Sequence, residues 1–230
     1  YPLVDDAVLP DEALLTPLFV KTSPPSVTAF SGMDVLVHAL EAYVATAANN
    51  FTDALAQQAI ELVFEYLPKC HKPTATEQDR MSMHEASCLA GLSFNKAGLG
   101  IVHAMAHQLG GQFHVPHGLA NSMLLPYVIG FNCSRNQEVA KKYAHLSAKL
   151  GFASHKASDG VKLGALLEAI VKLQRTLECP MTLTEFGVDK ATSEAKLNLM
   201  ADRALEDMCY RFNPYPANHD DLIGLYKKVL

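Results

Sequence analysis

From Ala97 to Ser134 the chain carries no Lys, Arg, Asp or Glu, yet it holds four histidines, His103, His107, His114 and His117. A run so poor in charge either crosses a membrane or lies inside a folded core. A membrane helix needs about 20 consecutive, mostly apolar residues. Gly110-Gly111, Pro116, Pro126 and the histidines interrupt this run, so no membrane partner is expected. The segment reads as the buried centre of a domain, with histidine as its only titratable side chain.

The surrounding pattern is helical. Pro2, Pro10, Pro17, Pro24 and Pro25 suit an extended lead-in around one short helix. Helices are expected from Ser31 to about Ala48, capped by Thr28 or Ser31, and from Thr52 to Leu67, stopped by Pro68. Further helices are expected from Glu77 to Leu92, from Val102 to Leu109 with Gly110-Gly111 as the stop, and from His117 to Phe131. Spans of 137–150, 160–177, 193–207 and 219–229 complete the chain. No β-strand run and no βαβ alternation is found. The expected fold is all-α, a single bundle-like helical domain over 1–230, since no linker divides the chain.

With 49% apolar residues among 230, the chain can bury a substantial core. A formal net charge of −5 argues against nucleic acid as a partner. The five cysteines are scattered, with no C-x-x-C pair. They read as reduced core thiols of a cytoplasmic protein. Tyr1 to Pro10 has no basic leader pattern and includes Asp5 and Asp6. The first residue is not Met, so the numbering is expected to begin inside a longer parent chain.

Three clusters carry chemistry. In SGMDVLVHALEAY, Asp34 and His38 are four apart. On a helix that puts a carboxylate and an imidazole on one face, one turn apart. Glu41, a turn further, reads as helix surface or as support behind the other two. In GIVHAMAHQLGG, His103 and His107 repeat the spacing inside the uncharged stretch. In HVPHGLAN, His114 and His117 flank a turn that Pro116 pins. Alone, each cluster is more often an ordinary surface pair, a satisfied core histidine or a cap. Together, one carboxylate and several imidazoles in an apolar setting fit a first-row divalent ion such as Fe2+, Zn2+ or Ni2+. They do not fit calcium or magnesium, which prefer oxygen cages.

These segments, with the lead-in TSPPSVTAFSGMD and the ending NPYPANHDDLIGLYKKVL, resemble the iron-containing (group III) alcohol dehydrogenases. The resemblance covers essentially the whole chain. It implies the helical C-terminal domain of the dehydroquinate synthase-like fold those enzymes share. By position it implies a metal held by Asp34, His38, His103 and His117. His107 then lies by the nicotinamide, contacts that cofactor and assists proton transfer, while His114 lines the pocket or supports it. The implied reaction interconverts a short primary alcohol and its aldehyde. The metal acts as a Lewis acid on the alcohol oxygen and NAD(P) takes the hydride.

The sequence also departs from that pattern. No Gly-rich phosphate loop follows a strand, so the N-terminal nucleotide-binding α/β domain that binds most of NAD(P) is expected to be absent. The chain alone is then expected to bind metal with little activity. Its partners would be that domain, the alcohol or aldehyde, and further copies in a homodimer or larger assembly. Lys96 puts a charge near the pocket, where it either tunes the substrate or points to solvent. Two alternatives stand beside this reading. One is a zinc glycerol dehydrogenase-like enzyme, which uses three protein ligands where this chain offers four. The other is a non-catalytic metal-binding or oligomerisation module.

Overall fold

The computed structural model describes residues 6–230, and among these every regular element is a helix. The expectations for Tyr1 to Asp5, Pro2 included, lie outside the described residues. Short 3-10 turns at Asp6–Val8 and Leu18–Val20 replace the single lead-in helix that the prolines suggest. The α-helices are α1 Pro25–Val44, α2 Asn50–Cys70, α3 Glu77–Ala97, α4 Ile101–Phe113, α5 His117–Arg135, α6 Gln137–Lys149, α7 Asp159–Thr176, α8 Leu183–Phe186, α9 Lys190–Glu194, α10 Leu197–Glu206 and α11 His219–Tyr226.

Several boundaries differ from the sequence reading, each for a local reason. α1 starts six residues before Ser31, because Pro25 occupies its first turn, where a fixed φ and a missing N–H cost nothing. Ser31 is therefore inside the helix, and its hydroxyl donates to the Val27 carbonyl at 2.7 Å. α3 continues past Leu92 to Ala97. Gly110-Gly111 does not stop α4, which runs on to Phe113. His114 ends it instead, in the left-handed conformation at φ 55°. α2 carries Pro68 in its last turn, and α5 carries Pro126 in its interior. A proline there leaves the carbonyl four residues back without its helical donor. For Pro126 that carbonyl belongs to Ser122, and the buried Gln174 amide of α7 donates to it at 2.5 Å. The helix expected over 193–207 is two, α9 and α10, and α8 lies where no helix is expected.

α1 is the axis of the packing. Its Met33, Leu36, Val37 and Leu40 are fully buried, and it packs on α2, α3 and α5. α4 packs on α5 and α10, with Ile101, Met105 and Leu109 buried. Two glycines let neighbouring helices close onto α1. A Cβ at Gly118 would sit 2.0 Å from the Phe30 carbonyl oxygen, so only glycine lets the start of α5 meet α1. A Cβ at Gly100 would meet Glu41 Oε1 at 2.7 Å and Asn213 Oδ1 at 2.8 Å. The starts of α4 and α5 are thereby drawn onto the middle of α1. No helix among the described residues is long and apolar enough to cross a membrane.

Candidate metal centre

Three helices converge on one point. α1 contributes Asp34 and His38, α4 contributes His103, and α5 contributes His117 as its first residue. Each offers one donor atom, and these atoms all lie within 4.8 Å of one another. Asp34 is the hub. Its Oδ1 stands 3.6 Å from His103 Nε2 and 3.6 Å from His117 Nε2, and its Oδ2 stands 4.0 Å from His38 Nδ1. Donors bound tetrahedrally to one ion at about 2.1 Å stand roughly 3.4 Å apart. The observed spacing is close to that.

The chemistry of the atoms fits a cation. His103 is buried, and its Nε2 has no hydrogen-bond partner. A buried, unsatisfied ring nitrogen costs free energy unless a proton or a metal ion occupies its lone pair. The ring is aimed from behind: its Nδ1 lies 2.6 Å from Glu41 Oε2. Glu41 is buried too, and its other oxygen accepts from the Val102 backbone N–H at 2.7 Å. Of the two readings open for Glu41, surface or support, the structure shows support. Reciprocal amide bonds between Asn132 and Asn213 at 3.1 and 2.9 Å hold the layer beneath. Asn213 Oδ1 also accepts from the Ile101 N–H at 3.3 Å.

Burial and neighbouring charge divide the site electrostatically. Burial pushes the Asp34 carboxyl up, yet the imidazoles around it hold it down at about 2. Burial pushes His103 down, but the carboxylates of Asp34 and Glu41 outweigh this and raise it to about 9. Burial, then the neighbouring His103, lowers His38 to about 3. Burial also lowers His117. The two carboxylates thus favour positive charge at His103, while burial keeps His38 and His117 neutral. This is a site built for one concentrated positive charge.

His107 stands beside the cluster rather than in it. Its ring stacks on His117 with centroids 5.4 Å apart. Its Nδ1 is 2.7 Å from Asp207 Oδ2. Asp207 and Cys209 approach it closely enough to form a second donor group, although Asp207 Oδ1 already accepts from the Cys209 backbone N–H at 2.9 Å. His114 is exposed and is not among the clustered donors. Lys96 is exposed on the last turn of α3, where a cation complements the helix dipole. The five cysteines are free thiols, buried or half-buried.

Two contributors escaped the sequence reading. Asn121 donates from Nδ2 to Asp34 Oδ1 at 2.6 Å and lies 3.0 Å from His117 Nε2. Its i,i+4 spacing from His117 was an available signal. Asp207 had none, being 100 residues from its partner.

A model of the Fe-containing alcohol dehydrogenase family, C-terminal, matches residues 28–230. The chain is 44% identical over 230 residues to the 1-propanol dehydrogenase of Salmonella typhimurium, covering all of this chain and 62% of that protein. It is 40% identical over 229 residues to the NADPH-dependent butanol dehydrogenase of Clostridium saccharobutylicum, covering 57% of that protein. Among solved structures, the iron-containing alcohol dehydrogenase of Thermococcus thioreducens superposes with a TM-score of 0.89 at 36% identity, over 99% of this chain and 56% of that one. The chain thus spans less than two thirds of each of these relatives. It belongs to the Fe-containing alcohol dehydrogenase family, and it corresponds to that family's C-terminal region.

Proposed function

We propose that this chain is the metal-binding half of an NAD(P)-dependent dehydrogenase that interconverts short primary alcohols and aldehydes. The observation that carries the proposal is the convergence of Asp34, His38, His103 and His117 around a buried, unpartnered ring nitrogen. Four protein donors favour an iron-type site over a three-ligand zinc site, with Zn2+ and Ni2+ as chemically acceptable substitutes. The names of the relatives, a propanol and a butanol dehydrogenase, favour a substrate of similar size. The same reading takes the helices as one domain of a cytoplasmic homodimer or larger assembly. It takes a nucleotide-binding domain as the partner that holds most of NAD(P).

When bound, the ion supplies Lewis acidity toward the alcohol oxygen, and NAD(P) supplies the hydride acceptor. This chain's residues do the rest. Asp34 gives the site its negative charge. Glu41 fixes the tautomer and direction of His103, the usual service of a carboxylate behind a ligating imidazole. Asn121 ties Asp34 to His117. His107 keeps Nδ1 on Asp207, so its Nε2 is the nitrogen left to exchange a proton with substrate or water. Its side chain is 34% exposed, which gives that proton a way out.

Elemental analysis of anaerobically purified protein tests the reading. The unaltered protein should carry one ion per chain, and Asp34→Ala and His117→Ala should each lose most of it. Unchanged metal content in both variants would refute the site.

A further inference from the structure

A cavity of about 350 Å3 runs between α1, α3, the end of α2 and the lead-in. That volume is in the range of small-ligand pockets. Asp34 and His38 form part of its wall, so it begins at the proposed metal ligands. Along α1 the wall continues back through Ser31 to Thr28. Six residues separate Thr28 from Asp34, roughly 9 Å of helix rise. α3 runs in the same direction as α1. Its Phe94, near the end, stacks on His38 at 4.6 Å, while Arg80, near the start, lines the cavity with Val27 and Cys70. The cavity therefore has a metal end and an Arg80 end.

The far end is receptive to negative charge. Among the described residues, Asp34 is the only carboxylate in the cavity wall. Among the described residues the Arg80 guanidinium makes no salt bridge or hydrogen bond, its one carboxylate neighbour being Asp79 beside it in the chain, which it stabilises through space, and the residue is half-buried. One turn on, His84 also lines the cavity, and its Nε2 is buried without a partner. An unpaired guanidinium beside an unsatisfied imidazole nitrogen is a poor lining for an alkyl tail. It is a good one for an anionic oxygen, which a guanidinium can bind through two parallel N–H donors.

We propose that the cavity takes an alcohol or aldehyde bearing a carboxylate at its far end. The reacting oxygen lies toward Asp34 and His38. The carboxylate accepts from Arg80, and from His84 in its Nε2–H tautomer. This rests on the dehydrogenase reading and narrows its substrate class to short ω-hydroxy acids and the corresponding oxo acids.

Calorimetric titration of the metal-loaded protein with 4-hydroxybutyrate and with 1-butanol tests it, with metal content measured on each sample. The expected result is binding of 4-hydroxybutyrate tighter by about ten-fold or more, as for a charge-assisted contact. Arg80→Ala and Arg80→Gln should both abolish that advantage while keeping the metal, and Arg80→Lys should retain part of it. Equal binding of the two probes by the metal-loaded protein overturns the inference and leaves the dehydrogenase reading standing. A preference that survives Arg80→Gln also overturns it, since the carboxylate would then be bound elsewhere. A protein that takes up no metal removes the dehydrogenase reading, and the inference with it.

Discussion

α4 carries two histidine–carboxylate pairs one turn apart, and the difference that matters most between them is exposure. His103 with Glu41 is closed off, at 2% and 6% side-chain exposure. His107 with Asp207 is open, at 34% and 14%. The bond lengths, 2.6 and 2.7 Å, are nearly equal. In the closed pair no water can replace a lost partner, so the carboxylate holds a ring in place and aims its far nitrogen. In the open pair water reaches the ring, so the same bond leaves a nitrogen able to trade protons. Similar local chemistry suits a fixed support in one place and, under the proposed function, a proton-exchanging group in the other. Burial decides which.

Breaking the closed pair should have the largest effect. Glu41→Ala strands the His103 ring and the Val102 N–H in a dry interior, and a buried pair broken on one side costs about 3–5 kcal/mol. Chemical denaturation of the metal-free protein should show this, and metal affinity should fall by roughly 10- to 100-fold. A loss near that of an exposed substitution would mean the floor is wetter than described.

Gly118→Ala sharpens the comparison from the other side, because it moves the open wall without touching either pair. The added methyl meets the Phe30 carbonyl, and such overpacking costs about 1–3 kcal/mol. Metal affinity should drop as His117 shifts. A variant with unchanged melting and unchanged metal content would contradict the close approach of α5 to α1.

The closed pair should also be visible in the pH dependence of the chelated protein. His103 is raised from 6.5 to about 9, so its contribution is complete below pH 6.5 and disappears as pH rises through about 9. His38 is lowered from 6.5 to about 3, so it removes stability as pH falls from 6.5 toward 3. The melting temperature of the metal-free protein should therefore peak near pH 6.5. With metal bound, the alkaline decline should vanish, because the ion replaces the proton on His103. A metal-free protein whose stability rises from pH 6.5 to 9 would contradict the assignment of that proton.

The smallest effect on stability belongs to the open pair. Asp207→Asn should cost about 1 kcal/mol or less and leave metal content intact. Turnover of the complete enzyme should nevertheless fall by about 100-fold or more, as for loss of proton transfer, with an altered pH–rate profile. Loss of metal in this variant would show that the two pairs are not independent.

Local spacing made the histidines and Asp34 legible as candidates, the resemblance singled out Asp34, His38, His103 and His117 among them, and the structure brings these four together. Asp34 and His38 lie on one face of α1, and His103 lies in a stretch whose lack of charge announces burial. His117 follows a proline that fixes the turn. The helices were legible in number and order along most of the chain. Their ends were not, because tertiary partners overrode the stop signals. Gln174 supplies the donor that Pro126 lacks, and nothing near Pro126 in sequence reveals Gln174. Glu41 was visible but ambiguous, since an i,i+3 neighbour of His38 can equally face water. Asp207 was invisible, since its pairing with His107 exists only once α10 has packed on α4.

X-ray absorption at the metal edge, paired with anomalous diffraction from the loaded protein, tests the central claim most directly. The account predicts a single ion bonded to one oxygen of Asp34 and to nitrogens of His38, His103 and His117, at about 2.0–2.2 Å, with His107 unbound. An ion held by His107, Asp207 and Cys209 instead, or one that omits His103, would contradict it.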